Sequence, residues 1–310
     1  EQHRLRRPDR IGSWPARARV VDPPPYIIIT MITETELEKI IKKCNTIRDC
    51  LESFLKSRVD QYDVNDFLNK DPLAPIIGTI CDEKIKAEVA WNIPYHLYEF
   101  LRQQGLEFKA STICKLGTDE LRRWLALHMK DKWPRKLNEK ERQKWLDKIS
   151  ESIVKTCKKI WNEYNDDPDK IFSINNGNLS IPMIYFALRQ FPGIGPKKAA
   201  MIARDFGKNY NWVKSVKFRL SKRGINLTVT HLHFTEMPID VHVKRVFWRL
   251  GFARYNQPQD FQNLARIIYP ENPGLVDDFI WWLGREICKA RPNCGICPLF
   301  NICEYVETEK

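Results

Sequence analysis

The sequence predicts a mostly α-helical protein of two domains, with a small β insertion between them. Three observations carry this. Apolar residues recur at helical spacing through most of the chain beyond Met31. The stretch FPGIGPKKA at 191–199 interrupts two such patterns with a turn, because Pro192, Gly193, Gly195 and Pro196 cannot share one helix. Four cysteines crowd into ICKARPNCGICPLFNIC at 287–303, a loop that must be held by something other than a helix.

The bounds are those of a globular protein. The 310 residues suffice for two domains with real cores. Hydrophobic content of 43% and charged content of 29% are ordinary for a soluble protein. No apolar run approaches the ~20 residues of a membrane span, and no secretory signal is visible, so a cytosolic location without membrane contact is expected: the cytoplasm or nucleoid of a prokaryote, the nucleus of a eukaryote. A net charge of +12 favours a polyanionic partner; surface lysine in a heat-adapted protein is the alternative. In a reducing compartment the clustered thiols read as a metal site, not disulfides.

Residues 1–30 look foreign to the rest. They hold six Arg and no Lys, with several prolines, and read as a disordered or artificially appended arm, with Met31 as the natural start. Six Arg against Glu1, Asp9 and Asp22 give +3, which leaves +9 on 31–310. Thr33 to Leu55 is helical, with Leu37, Ile40, Ile41, Cys44 and Ile47 on one side. Asp71 to Trp91 opens with turn chemistry and continues as one mostly buried helix. Leu97–Gln104, Thr118–Leu127 and Glu139–Glu163 follow, with Gly117 and Thr118 as a start signal. The mixed charges of 130–148 read as a solvated face. Asn165–Asn178 is a loop. Ser180–Gln190 and Lys197–Phe206 are the helices on either side of the turn, the second stopping at Gly207. In the segment 207–237, NLTVTHLHF alternates like a strand, placing Leu227, Val229, His231 and His233 on one face and suggesting a β excursion. Val241–Gly251, Phe261–Ile268 and Gly274–Cys288 are the last helices; Trp281 and Trp282 belong to the core.

The turn at 191–199 is a helix-hairpin-helix. Gly193 and Gly195 let the backbone approach a ligand closely, and the second helix presents unpaired N–H groups and a positive dipole end, a ready phosphate site. Such hairpins also serve as plain anchors on nucleic acid.

Together FPGIGPKKA and PIDVHV (238–243) resemble the helix-hairpin-helix DNA glycosylase superfamily, the group containing endonuclease III, adenine glycosylase and 8-oxoguanine glycosylase. The resemblance covers roughly 71–206 and 238–303. It implies a six-helix barrel domain at 71–206 that ends in the hairpin (181–206). A helical iron–sulfur domain at 238–310 would pack with helices from 31–70, and the insertion at 207–237 would interrupt the pattern. It implies that Lys197, two residues after Gly195, is the nucleophile of a bifunctional enzyme and that Asp240 is the catalytic carboxylate. The two are 43 positions apart, farther than the family usually keeps them. Lys198 joins Gly193 and Gly195 as an expected DNA contact. Lys84, beside Glu83 where the family carries a Gln-rich turn, could reach into the duplex.

Cys288, Cys294, Cys297 and Cys303 have the spacing Cys–x5–Cys–x2–Cys–x5–Cys. Spacing alone leaves a [4Fe–4S] cluster and structural zinc open. The resemblance implies the [4Fe–4S] cluster, with Lys289 and Arg291 offered to phosphates, although the family's first gap is usually one residue longer. The implied function is a base-excision-repair DNA glycosylase with AP-lyase activity, monomeric, acting on double-stranded DNA with a damaged or mismatched base that must be extruded first. For Lys197 to attack C1′ its amine must be neutral, which burial and the helix N-terminus would favour over the ordinary ~10.4. Asp240 would stabilise charge on the sugar, help activate the Lys197 amine and also cap its helix. A monofunctional glycosylase using water activated by Asp240, and a DNA-binding iron–sulfur protein without chemistry, remain open.

Overall fold

The structure, a computed structural model, describes residues 33–57, 66–252, 255 and 257–305. The expectations for the 1–30 arm and Met31 lie outside the described residues. The chain divides into two compact units at Lys39/Ile40. Of the first unit, 33–39 are described and open helix α1 (Glu34–Ser57). The following description concerns the second unit.

Helices dominate it. The expected single helix over 71–91 is two, α3 (Ala74–Cys81) and α4 (Ala87–Gln103). The polar stretch Asp82–Lys86 separates them. Asp82 closes α3, its N–H donating to the carbonyls of Gly78 and Thr79, and Lys84 takes a left-handed φ of 62° that no helix can absorb. A short α2 (Asp66–Lys70) precedes them. In α5 (Ala110–His128) the chain breaks at Gly117, whose φ of 80° is open to glycine, and restarts at Thr118. Helix α6 (Glu139–Tyr164) starts in a capping box: Asn138 accepts from the Glu141 N–H, and Glu141 accepts from the Asn138 N–H, both at 3.0 Å.

Helix α7 (Ile181–Arg189) is capped by Ser180, and α8 (Pro196–Lys208) begins on a proline that surrenders no intrahelical bond. Helix α8 runs through Gly207 and ends at Asn209 with φ 56°. The insertion at 207–237 holds the expected β excursion, but its longest element is helix α9 (Asn211–Ser221). Its single strand, β2 (Thr228–Thr230), pairs in parallel with β1 (Asn178–Ser180), Leu179 opposite Val229. The amphipathic KSVKFRL favours the helix, burying Val213, Val216 and Leu220. Helix α9 is bolted down by Arg219, which donates to both oxygens of the buried Asp169 at 2.7 and 3.0 Å and to the Lys70 carbonyl at 3.2 Å. The strand is cut short because His231 adopts φ 60°; His231 and His233 are exposed.

After the insertion come α10 (Val241–Phe247), α11 (Pro258–Ile268) and α12 (Leu275–Glu286). Burial falls into two apolar clusters. One gathers residues between Leu73 and Leu227, including Ile77, Ile80, Ile153, Phe191 and Phe206. The other joins Cys44, Ile47 and Leu51 of α1 to residues from Met237 to Leu299. Trp282 is half-buried there, its ring 5.0 Å from that of Phe54. Among the described residues no helix is long and apolar enough to cross a membrane.

Candidate active site

The hairpin's two glycines do different work. Gly193 has φ 82°, and a Cβ there would lie 2.9 Å from Ser152 Cβ and 3.1 Å from Ile80 Cγ2, so the turn is pressed against α3 and α6. Gly195 is extended, and a Cβ on it would meet nothing within 4 Å. Its outer side is open, and no side chain caps the first turn of α8. Gly195, Pro196 and Lys197 border the cleft in front of the turn, so the uncapped helix start lies beside it, as an anion-binding helix end requires. The Arg189 guanidinium donates to the Ile194 carbonyl at 3.0 Å and fixes the turn.

In front of this turn lies an open cleft of about 830 Å³, large enough for an extruded nucleotide. Lys197 and Asp240 both line it, despite the 43 intervening positions, together with Asp82, Glu83, Lys84 and Lys198. The insertion does not intervene because α9 packs on α2. Asp240 caps α10: its Oδ1 accepts from His242 N at 2.8 Å and Val243 N at 2.9 Å. Helix α10 is pressed onto α12 at Gly284, where a Cβ would lie 2.9 Å from His242 Cβ.

The adjacent lysines differ from expectation. Lys197 is not buried: its side chain is 41% exposed, and its Nζ stands 3.8 Å from Asp82 Oδ2. Lys198, expected to meet a phosphate, is turned inward at 6% exposure. It donates to the Ile80 carbonyl at 2.7 Å and lies 3.6 Å from Glu83 Oε2. Burial lowers its pKa below the ordinary lysine value, against the pull of Glu83. Position 198 falls on the inner face of α8, where Ala199, Ile202 and Ala203 are also buried. Glu83 accepts from Lys148 Nζ at 2.6 and 2.7 Å, and its backbone carbonyl accepts from Trp145 Nε1 at 2.7 Å. Burial alone would raise the Glu83 pKa; the ammonium groups of Lys148 and Lys198 outweigh it and hold the carboxyl below its usual range. Lys84 is exposed at the rim.

The far end of α8 carries a buried ionic cluster. Arg204 pairs with Asp277, with Asp278 at 3.2 Å and with Asp205 at 2.9 Å. Lys208 reaches Asp278 at 2.6 Å and the Tyr210 hydroxyl donates to it at 3.2 Å. Burial would raise Asp278, but Arg204 and Lys208 hold it low. Asp277, with fewer partners, is pushed up to about 7 by burial; Arg204 only partly opposes this, and the charges of Asp278 and Asp240 add to it.

The cysteine loop is tied to α10. Arg245 donates to the carbonyls of Gly284 at 2.6 Å and Cys288 at 2.8 Å. Cys288, Cys294, Cys297 and Cys303 line one small cavity with Arg249 and Tyr305. Arg249 donates to Cys288 Sγ at 3.2 Å, stacks on the Tyr305 ring at 4.3 Å, and keeps a buried Nε without a hydrogen-bond partner. Among the described residues no three His, Cys, Asp or Glu side chains stand close enough to share one metal ion. Lys289 and Arg291 are exposed on the loop. Asp82, Arg204, Asp277 and Arg249 were not singled out from the sequence. For Asp82 a signal existed: a carboxylate ending the apolar APIIGTIC helix, one residue before the noted turn.

No family model matches the chain. It is 30% identical over 178 residues to endonuclease III of Rickettsia prowazekii, covering 53% of this chain and 68% of that protein. It is 32% identical over 136 residues to that of Rickettsia conorii (43% and 52%), and 26% identical over 162 residues to that of Escherichia coli (51% and 58%). The chain thus spans about half the length of some of the curated relatives it matches. A solved trapped endonuclease III–DNA covalent intermediate, in an estranged-adenine complex, superposes with a TM-score of 0.53 at 18% identity, covering 90% of this chain and all of that one. A non-covalent endonuclease III–DNA complex gives 0.53 at 16%, covering 90% and 99%. These two share the fold.

Proposed function

Because this chain belongs to the endonuclease III family, we propose that it is a base-excision-repair DNA glycosylase with AP-lyase activity. The observation that supports this best is the convergence of Lys197, Asp240 and the open start of α8 on one cleft. Double-stranded DNA lies across the hairpin, a phosphate meeting the amides beyond Gly195. The target nucleotide swings into the cleft, where the Lys197 amine attacks C1′ and the base leaves with the bonding electrons. The resulting Schiff base permits β-elimination. Asp240, fixed by two amides, stabilises positive charge on the sugar.

We also assign Cys288, Cys294, Cys297 and Cys303 as ligands of a [4Fe–4S] cluster. Its contribution is structural: it clamps the loop that carries Lys289 and Arg291. Four thiols line one small cavity, the donor set a [4Fe–4S] cluster takes, and Arg249 is positioned to donate toward the thiolate charge. On this reading 71–206 is the barrel domain, and 31–70 with 238–310 the iron–sulfur domain.

One observation favours a second reading. Lys197 is exposed and ion-paired, as suits a phosphate-binding lysine, which would leave Asp240 to activate water. A panel of duplexes, each with a single oxidised, deaminated or mismatched base, tests both. The bifunctional reading predicts base release with strand nicking; release without nicking supports the second reading. Release from no lesion, by protein that binds DNA, would overturn both.

A further inference from the structure

The carboxylate that faces Lys197 is not Asp240. Among the described residues, Asp82 is the one carboxylate within ion-pair distance of the Lys197 ammonium, Oδ2 to Nζ 3.8 Å. Asp240 instead spends its Oδ1 on two backbone amides at the start of α10. The side chain of Asp82 is 16% exposed and lines the same cleft.

Its position is fixed from several sides. Its own N–H closes α3 on the carbonyls of Gly78, at 3.0 Å, and Thr79, at 3.3 Å. The preceding turn of α3 is held by Lys198 through the Ile80 carbonyl, and the following residue by Lys148 and Trp145. The two adjacent lysines of α8 therefore face two adjacent carboxylates: Lys198 anchors beside Glu83, and Lys197 meets Asp82 on the more exposed side.

We propose that Asp82 is a catalytic residue, the general base that deprotonates Lys197 when DNA covers the cleft; this rests on Lys197 being the nucleophile. In the free protein the two form an ion pair at the open side of the cleft, Lys197 more exposed than Asp82. DNA seated over the cleft excludes water, and an ammonium and a carboxylate at this separation then gain by becoming neutral. One proton passes from Nζ to Oδ2. The freed lone pair on Nζ forms the bond to C1′ while the glycosidic C–N bond breaks, its electrons leaving with the base. The proton now on Asp82 is available to the departing base nitrogen, so charge and protons balance with no further reactant. The arrangement also makes nucleophile activation depend on the turn that touches the duplex beside Lys84.

The test uses the full chain and a duplex with one abasic site, with borohydride trapping of the Schiff base measured from about pH 6.5 to about pH 9.5. Asp82→Asn should trap about 100-fold more slowly near neutrality. The deficit should shrink as pH rises toward the ordinary lysine range and solvent removes the proton instead. Duplex affinity should hold or improve, since a negative charge leaves the cleft. An unchanged neutral rate would overturn the inference, as would an equal loss at every pH, which a merely supporting side chain would give. Lys197→Ala run in parallel separates the two claims. If it still traps like wild type, the nucleophile reading has failed; if it loses the adduct while Asp82→Asn traps normally, only the inference about Asp82 has. Should Asp82→Asn not fold, Asp82→Glu decides: a neutral rate within about tenfold of wild type supports the inference, and a fall to the Lys197→Ala level overturns it.

Discussion

Replacing Asp277 by Asn tests the buried cluster at the base of α8. The folded protein holds a proton on Asp277 up to about pH 7, and the unfolded chain only up to about 3.8. Between these limits folding takes up a proton, so stability falls as pH rises through the window, and the loss is complete above about pH 7. At roughly 1.4 kcal/mol per pH unit, the full span corresponds to about 4 kcal/mol. Asn still accepts a hydrogen bond from Arg204 but weakens its ion pairing, so we expect about half of that as net gain, about 2 kcal/mol at pH ~8. At pH ~5, where wild-type Asp277 is already neutral, the variant should match wild type or fall slightly below it. Urea unfolding of both proteins at the two pH values measures this. The difference between them is the right quantity, because other groups titrate in the same range. Asp71, raised by burial to about 6, also costs stability as pH rises. His128, lowered by burial to about 4, costs stability as pH falls from its ordinary 6.5. An Asn variant destabilised equally at both pH values would refute the reasoning, since Asp277 would then be an ionised partner of Arg204 throughout.

Two further outcomes follow from the geometry. Gly195→Val should melt like wild type, because its Cβ meets nothing, yet weaken all duplexes alike; Gly193→Val should lower the melting temperature, because its Cβ would collide with Ser152 at a φ of 82°. Titrating both variants with an undamaged duplex at two salt concentrations separates backbone binding from fold. Cys297→Ser should abolish broad absorption at roughly 400 nm and lower the iron content from about four per chain; elemental analysis giving stoichiometric zinc and no iron in the wild type would overturn the cluster assignment.

Much of the helical framework could be read because its signals are local. Asn138 with Glu141, Ser180 before Pro182, and Gly117 each mark a boundary through a hydrogen bond or a φ value that depends on near neighbours. Where the reading stopped short, a distant partner decided. NLTVTHLHF alternates, but only three residues form a strand, since β1 offers three partners and His231 turns away. Lys197 and Lys198 are indistinguishable in the sequence except by register. Their opposite fates follow from the end of α3, more than a hundred residues earlier, which accepts one lysine into the protein at Ile80 and leaves the other beside Asp82. Asp240 could be assigned as a cap from the start of α10; that it lines the same cleft as Lys197 depends on where α9 packs.

The proposed chemistry requires an amine of α8 to form a covalent bond with the sugar. Borohydride trapping of the wild-type protein on an abasic-site duplex, followed by digestion and mass mapping of the nucleotide-bearing peptide, tests this most directly. A single modified residue, Lys197, is expected. Modification of Lys198 would mean that the buried lysine is the nucleophile, and no adduct on either lysine, from protein that releases the base of a lesion duplex, would mean that water, not an amine, attacks the sugar.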